Sequence, residues 1–455
     1  MAFVTTDPAS GRKLASYREH SSKQIADLTA RSHAAFELWR TRSLSDRARV
    51  LRLVARSLRR RREELAGLIT SEMGKPLAQS FAEIEKSALG CDFYAAHASE
   101  FLAPRRPLRA PAHARVTFAP LGPILAIMPW NFPFWQTLRA AAPALMAGNT
   151  FLLKPAPATS GCGLALASLF DDARIPADLF QTVLVDTPVV AKLIADPRIA
   201  AVTLTGSTRA GKSVAALAGA AMKPATFELG GSDAYLVLGD ADLDHAADLC
   251  AQSRLINSGQ SCIAAKRFIV ERSVRRDFER RLVEKIKAAR VGPPLDPSTT
   301  IGPLARADLR DHLHTQVQRS IARGARVLLE GGPLSDRAGF FYAPVVLTHV
   351  TPGMPAYDEE LFGPVASIIV AHDEADAVRI ANDSRYGLGA AVFTRSRVRA
   401  QRLAAQLEAG NVAINDFVRS DPGLPFGGVK DSGHGRELGE WGLHAFTNIK
   451  TIVGR

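Results

Sequence analysis

The chain has 455 residues, enough for two or three domains and a large core. With 47% hydrophobic and 22% charged residues it reads as an ordinary soluble enzyme, and no apolar run reaches membrane-spanning length without a Pro, Gly or Lys inside it, so no membrane partner is expected. The net charge of +12 raises nucleic acid as a partner, but the densest basic run, Arg56 to Glu64, lies within a helical pattern and reads as a solvated face, so no nucleic-acid partner is expected and a basic nucleic-acid-binding protein stays only as the third reading.

The first residues, Met1 to Pro8, lack the basic and apolar segments of a secretory signal, so the expected location is the cytoplasm. Cys91, Cys162, Cys250 and Cys262 form no C-x-x-C pair and have no His cluster at ligand spacing. Reduced thiols, with no metal and no disulfide framework, are expected.

In chain order, residues 22 to 101 read as helices, with Ser45-Asp46 as a cap and a break at Gly74-Lys75-Pro76. Leu102 to Pro123 is rich in Pro and Arg, with a β-like Arg115 to Phe118, and reads as an excursion. Strands are predicted at Ile124 to Met128, Thr150 to Leu153, Thr182 to Val185 and Ala200 to Thr205, with helices around Phe134 to Met146, Ser160 to Phe170 and Pro188 to Ile194. This alternation predicts a parallel sheet covered by helices. A second strand series follows: Tyr235 to Leu238, Arg267 to Val270, Ser367 to Val370, Ala391 to Thr394 and Val412 to Ile414. The boundary between the two series falls near Gly230-Gly231.

Gly206 to Ser213 matches G-x-x-x-x-G-K-[ST], the phosphate loop of ATPases, and lies between a predicted strand and a helix. An NTPase is therefore the second functional reading. The loop follows several βα units rather than the first, and Gly-rich turns before helices bind phosphate of any origin, so a dinucleotide pyrophosphate is the favoured guest.

Cys262 stands among small and polar residues in Asn257-Ser258-Gly259-Gln260-Ser261-Cys262, and 34 residues upstream Glu228 runs into Leu229-Gly230-Gly231-Ser232. A lone Cys is more often a small buried hydrophobe, and a Glu before Gly-Gly is more often a solvated strand end. Together they supply a thiolate to attack a carbonyl and a carboxylate to activate water, as thioester chemistry needs. Pro129-Trp130-Asn131-Phe132-Pro133 ends one predicted strand, and the Asn131 amide can donate to an oxyanion. Lys154-Pro155-Ala156 ends the next. Further on come Glu359-Glu360-Leu361-Phe362-Gly363-Pro364, Pro425-Phe426-Gly427-Gly428 and Ser432-Gly433-His434-Gly435-Arg436-Glu437.

These blocks in this order resemble the NAD(P)-dependent aldehyde dehydrogenase superfamily, from about Ala34 to the C-terminus. The resemblance implies an α/β fold with a Rossmann-type cofactor domain (1–106 and 124–229), an α/β catalytic domain (230–425) and a small β oligomerisation element (107–123 and 440–455), in a homodimer or homotetramer. It implies Cys262 as nucleophile, Asn131 with the Cys262 N–H as oxyanion hole, and Glu228 as the base of deacylation. It implies Lys154 on the adenosine ribose, Glu360 on the nicotinamide ribose, Phe362 beside the nicotinamide, the Gly206-Ser207 turn on the pyrophosphate, and Trp130, Ala156, Pro157 and Leu229 elsewhere in the cofactor site.

NAD-preferring members often carry Glu at the position of Pro157, so NADP is expected to be accepted, with NAD use also open. Glu72 to Pro76, Leu125 to Pro133 and Glu228 to Asp233 look closest to bacterial succinate-semialdehyde dehydrogenases. That likeness implies Arg139 on the distal carboxylate of the substrate, with Phe426 beside it. A second arginine expected six residues before the cysteine is absent, Ile256 standing there and Arg254 two positions away, and the serine expected before Phe426 is replaced or shifted in Arg419-Ser420-Asp421. Other aldehydes therefore remain open.

Overall fold

Helices occupy residues 22–101 as Ser22–Trp39, Leu44–Arg60, Arg62–Met73 and Leu77–Phe101 in a computed structural model that describes residues 2–172 and 174–454. Met1, Ala173 and Arg455, which fall in the expected segments 1–106, 124–229 and 440–455, lie outside the described residues. The cap of the second helix is Ser43 rather than Ser45-Asp46: its Oγ accepts the Asp46 N–H at 3.1 Å, because the cap must precede the donor it satisfies. That helix also ends before Gly74, at Arg61, whose φ of −98° and ψ of 16° interrupt the ladder. Its Val50, Leu51, Val54 and Leu58 are buried, each worth about 1.5–3 kcal/mol against exposure. Gly74, at φ 81°, takes the left-handed conformation that ends Arg62–Met73.

Two sheets carry the rest. The first has the order Gly433–His434, Ala225–Glu228, Ala201–Thr205, Pro123–Ile127, Thr150–Lys154, Phe180–Thr182, parallel throughout except for Gly433–His434. From Pro123–Ile127 the chain winds outward through two strands, then returns to the other side with Ala201–Thr205. The switch point thus lies between 123–127 and 201–205, where a crevice opens beyond the strand ends. The last strand before that return covers Phe180–Thr182 rather than Thr182 to Val185, because only that stretch pairs with Phe151–Leu153.

The second sheet has the order Arg326–Leu329, Val345–Thr348, Val365–Ala371, Arg267–Glu271, Ala234–Val237, Gly389–Phe393, Asn411–Ile414, with only Arg326–Leu329 antiparallel. Residues 229–233 cross from the C-terminal edge of the first sheet to the N-terminal edge of the second. Those two edges enclose the site. The chain also returns: His434 and Gly433 pair antiparallel with Phe227 and Glu228, so the stretch after Phe426 clamps the crossing strand.

One element is absent from the sequence reading. An N-terminal hairpin joins Ala2–Thr6 to Lys13–Arg18. The excursion strand Ala114–Pro120 pairs along its whole length with Thr447–Val453, forming a separate two-stranded sheet whose Ile449 and Val453 are 63% and 61% exposed.

Candidate active site

Cys262 ends a loop whose backbone is held in a costly shape. Asn257, Ser258 and Gly259 take φ of 52°, 55° and 76° in succession, and the two non-glycine residues cost about 1–2 kcal/mol each. Gly259 is obligatory, since a Cβ there would lie 2.3 Å from the Gly363 carbonyl carbon.

Side chains offset the strain. Asn257 Nδ2 donates to the Asn131 and Gln260 carbonyls at 2.9 and 3.0 Å. Ser258 Oγ accepts from Gly302 N–H, and Gln260 Oε1 from Ala305 N–H. Arg254 Nη2 donates to the Gly259 carbonyl at 2.6 Å, so this arginine holds the loop instead of facing a substrate. Lys266 Nζ, fully buried, donates to the carbonyls of Ser261, Cys262 and Ala264 at 3.1, 2.8 and 3.1 Å.

The thiol of Cys262 touches a cavity of about 800 Å³ that is also lined by Arg139, Phe426, Trp135 and Lys86. Enclosure by protein pushes the thiol up to about 12, while Arg139 and Lys266 pull it down and Glu360 and Glu228 add to the rise. Asn131 is tied to the same loop: its Nδ2 donates to the Gln260 carbonyl at 3.0 Å, leaving one amide hydrogen for a second acceptor.

Glu228 ends the strand Ala225–Glu228, buried, with neither carboxyl oxygen hydrogen-bonded. Its Oε1 lies where a Cβ on Gly427 would come within 2.6 Å, so Gly427 makes its room. Burial holds the carboxyl well above its usual range, Glu437 adds to the rise, and Arg139 and Arg436 oppose it. A carboxyl raised in this way holds its proton more tightly than a solvated one, and becomes a better base on gaining a water or a hydrogen-bond donor.

Arg139 and Glu437 form a buried ion pair between Nε and Oε2, and Arg139 Nη2 also reaches Thr205 Oγ1 at 3.2 Å. Its guanidinium lies over the Phe426 ring, 5.1 Å from the centroid. Burial depresses Arg139, but Glu437, Glu228 and Cys262 together outweigh it and leave the group raised. An incoming carboxylate therefore meets at Arg139 a pair already neutralised.

The remaining predicted residues gather at the sheet edges. Lys154 ends its strand beside Ile127, its amino group lowered by burial. Ala156 and the exposed Pro157 follow it. Trp130 and Phe362 meet edge to face at 5.7 Å, the first just after a strand of one sheet and the second just before a strand of the other. Glu360 Oε1 accepts the Gly231 N–H at 3.1 Å and lies 3.7 Å from Lys266 Nζ. Burial raises the Glu360 carboxyl, against Lys266. Leu229 packs against Gly211 so closely that a Cβ there would be 2.4 Å from its methyls.

Ser207 caps the helix Thr208–Ala220 by accepting the Ala210 N–H at 3.3 Å. The ATPase reading of this loop fails on its lysine: Lys212 is exposed on the helix flank and pairs with Asp431 at 3.0 Å, where a phosphate loop would turn it inward. The comparisons below also give dehydrogenases, not NTPases.

Lys266, Glu437 and Lys86 escaped the sequence reading as site residues, and Ser420 entered it only within the segment where an expected serine is replaced or shifted. Lys266 left a trace, a lysine inside the apolar run Ile263 to Val270, where a charge must be buried and paired. Glu437 stood in a quoted motif with no role attached.

A model of the Aldehyde dehydrogenase family matches residues 1–452. The NAD(P)+ succinate semialdehyde dehydrogenase of Escherichia coli (strain K12) is 46% identical over 449 residues, covering 99% of this chain and 97% of that protein. A probable NADP+ succinate-semialdehyde dehydrogenase of Synechocystis is 45% identical over 452 residues, covering 99% of each. The crystal structure of a succinic semialdehyde dehydrogenase from Streptococcus pyogenes in complex with NADP+ superposes with a TM-score of 0.96 at 37% identity, again over 99% of each chain.

Proposed function

The chain belongs to the aldehyde dehydrogenase family, and from that premise we propose that it oxidises succinate semialdehyde to succinate, with NADP+ or NAD+ as hydride acceptor and a thioester on Cys262 as intermediate. The observation that carries the reading is a cavity-facing thiol served by a buried, unpartnered carboxyl, Glu228, on the opposite sheet edge. Relatives acting on succinate semialdehyde over nearly the full length support the substrate.

The residues present fit a dinucleotide. The switch-point crevice ends on Trp130 and on Gly206-Ser207, where the first N–H groups of helix 208–220 suit a pyrophosphate. Lys154 and Glu360 suit ribose hydroxyls, Ala156 and Leu229 each stand just past a strand end of the first sheet, and Trp130 with Phe362 suit a planar ring. Pro157 offers no carboxylate against a 2′-phosphate. When bound, the dinucleotide supplies the hydride acceptor.

The chain's own residues do the rest. Cys262, once deprotonated, adds to the aldehyde carbonyl. The free amide hydrogen of Asn131 and the Cys262 N–H hold the oxyanion. Arg139 and Lys266 favour the thiolate. Glu228 takes a proton from water, which attacks the thioester and frees the acid. Phe426 and the aliphatic wall keep bulk water from the thiohemiacetal.

The exposed sheet of 114–120 and 447–453 supports a homodimer or homotetramer, since among the described residues 447–453 pairs only with 114–120 and has an open outer edge, while the other edge is met only at Val116, by Arg105. Four free cysteines support the cytoplasm. Among the described residues no helix is long and apolar enough to cross a membrane.

An aldehyde panel with both cofactors, read by reduced-cofactor absorbance, tests the reading. Succinate semialdehyde is expected to give the highest kcat/KM, with NADP+ at least matching NAD+. No reduction with any aldehyde would overturn the activity, and equal rates across the panel would make the enzyme broad in specificity. A strong NAD+ preference would overturn the argument from Pro157.

A further inference from the structure

Four cations line the cavity of Cys262: Arg139, Arg419, Lys285 and Lys86. Three are already neutralised. Arg139 pairs with Glu437, Arg419 with Asp416 at 3.0 Å, and Lys285 with Asp248 at 3.4 Å. Lys86 differs. From the helix Leu77–Phe101 its ammonium lies 4.6 Å from the centre of the Trp135 ring and donates to Ser420 Oγ at 2.8 Å, a neutral hydroxyl. Among the described residues no carboxylate stands within ion-pairing distance of it.

Ser420 is arranged to complement this cation. Its Oγ accepts from Lys86 Nζ and also from Trp135 Nε1 at 3.1 Å. Both lone pairs are thereby used, and its own hydroxyl hydrogen is left to donate. Trp135 and Arg139 are four residues apart on helix Pro133–Ala147, so the Lys86–Trp135–Ser420 cluster and the Arg139–Phe426 contact sit one helical turn apart on the same wall. A half-buried, unpaired ammonium beside a free hydroxyl donor is the chemistry that takes a carboxylate.

We propose that Lys86, with Ser420, binds the distal carboxylate of the substrate and supplies the free positive charge that Arg139 has given to Glu437, so that the cavity selects aldehydes bearing an ω-carboxylate. The proposal rests on the semialdehyde reading above and names the residue that decides it. It also accounts for Ile256 standing where the resemblance expects a second arginine: the second cation enters from helix 77–101.

The groups facing Lys86 set its proton. Burial and the nearby Arg139 lower it to about 8, Asp421 and Glu83 raise it, and Arg419 lowers it further. A deprotonated lysine cannot pair with a carboxylate. Selectivity for the semialdehyde should therefore weaken as pH rises through about 8.

The test compares wild type, Lys86→Met and Lys86→Arg on succinate semialdehyde and on butanal, the uncharged aldehyde of equal length. Lys86→Met is expected to raise KM for the semialdehyde at least about tenfold, with kcat and the butanal KM within about twofold of wild type. Lys86→Arg should restore most of the preference and keep it above pH 8. Succinate alone, which carries the carboxylates without the aldehyde, should raise the melting temperature of the wild type and not of Lys86→Met. An unchanged semialdehyde KM, an equal shift for butanal, or no stabilisation of the wild type by succinate would overturn the proposal. Wild-type turnover that fails to separate semialdehyde from butanal, while succinate still binds through Lys86, would instead overturn the substrate reading.

Discussion

Lys266 Nζ donates to the carbonyl oxygen of Cys262 itself, at 2.8 Å. The same buried ammonium holds the carbonyls of Ser261 and Ala264, and the Glu360 carboxylate is its nearest counter-charge at 3.7 Å. One cation thus fixes the residue that bears the thiol and faces the acid that suits a ribose. Burial lowers its proton affinity, and Glu360 and Asp233 restore part of it.

Removing that charge leaves the Cys262 and Ala264 carbonyls without their donor and takes from Glu360 its nearest counter-charge. Lys266→Met is expected to lose about 3–5 kcal/mol of stability, read as a lower urea midpoint at unchanged slope. Its kcat should fall more than its KM rises, because the oxyanion position moves with the loop. A variant as stable and active as wild type would show that the three carbonyls do not depend on the lysine.

The thiol of Cys262 is protonated in the free protein at neutral pH, since enclosure pushes it up to about 12. Alkylation by iodoacetamide should be slow at pH 7 and rise about tenfold per pH unit as the thiolate forms. It should mark Cys262 alone at first, because Cys91, Cys162 and Cys250 are buried and have raised thiols as well. Rapid alkylation that is flat between pH 6 and 8 would mean a preformed thiolate.

Much of this site could be read before any coordinates. Glu228, Asn131, Lys154 and Gly206 lie at strand ends, and strand ends show in sequence as an apolar run broken by Pro, Gly or a polar residue. Cys262 showed through its small polar neighbours. What stayed hidden was pairing across long separations. Arg139 reads as a free clamp until Glu437, 298 residues away, is placed against it. Lys86 reads as a surface position on a mixed helix until Ser420 and Trp135 close over it. The missing arginine before the cysteine was visible, but its replacement came from another element, and local spacing carries no record of that. The Ser43 cap and the hairpin at 2–18 were lost for a smaller reason: short polar signals compete within two or three residues.

The Arg139–Glu437 pair is predicted to act as a unit. Arg139→Leu leaves Glu437 buried and unpaired beside Glu228, which should cost about 3–5 kcal/mol and raise the Glu228 carboxyl further. Activity toward charged and uncharged aldehydes should then fall together, since the loss lies in the chemistry of the site. Arg139→Leu with Glu437→Leu should recover stability relative to either single change, measured as a double-mutant cycle in urea. A selective loss of the semialdehyde alone would return the carboxylate to Arg139.

Glu228→Gln separates acylation from deacylation. The thiol and the oxyanion donors are untouched, so a first turnover of reduced cofactor should appear as a burst. The steady-state rate should fall by roughly 10²-fold or more, because no base activates water. The same variant carries a stability signature. The folded protein holds the Glu228 proton more tightly than the unfolded chain, its carboxyl being raised by burial and by Glu437. The stability this confers is present below the ordinary carboxyl value of about 4.3 and is lost as pH rises toward and through the raised value. Glutamine has no proton to lose. Melting curves from pH 4 to 9 should therefore show the wild type declining relative to Glu228→Gln as pH rises. Parallel curves would mean that the carboxyl is solvated in solution and titrates normally, which would also remove the need for a donor to release it.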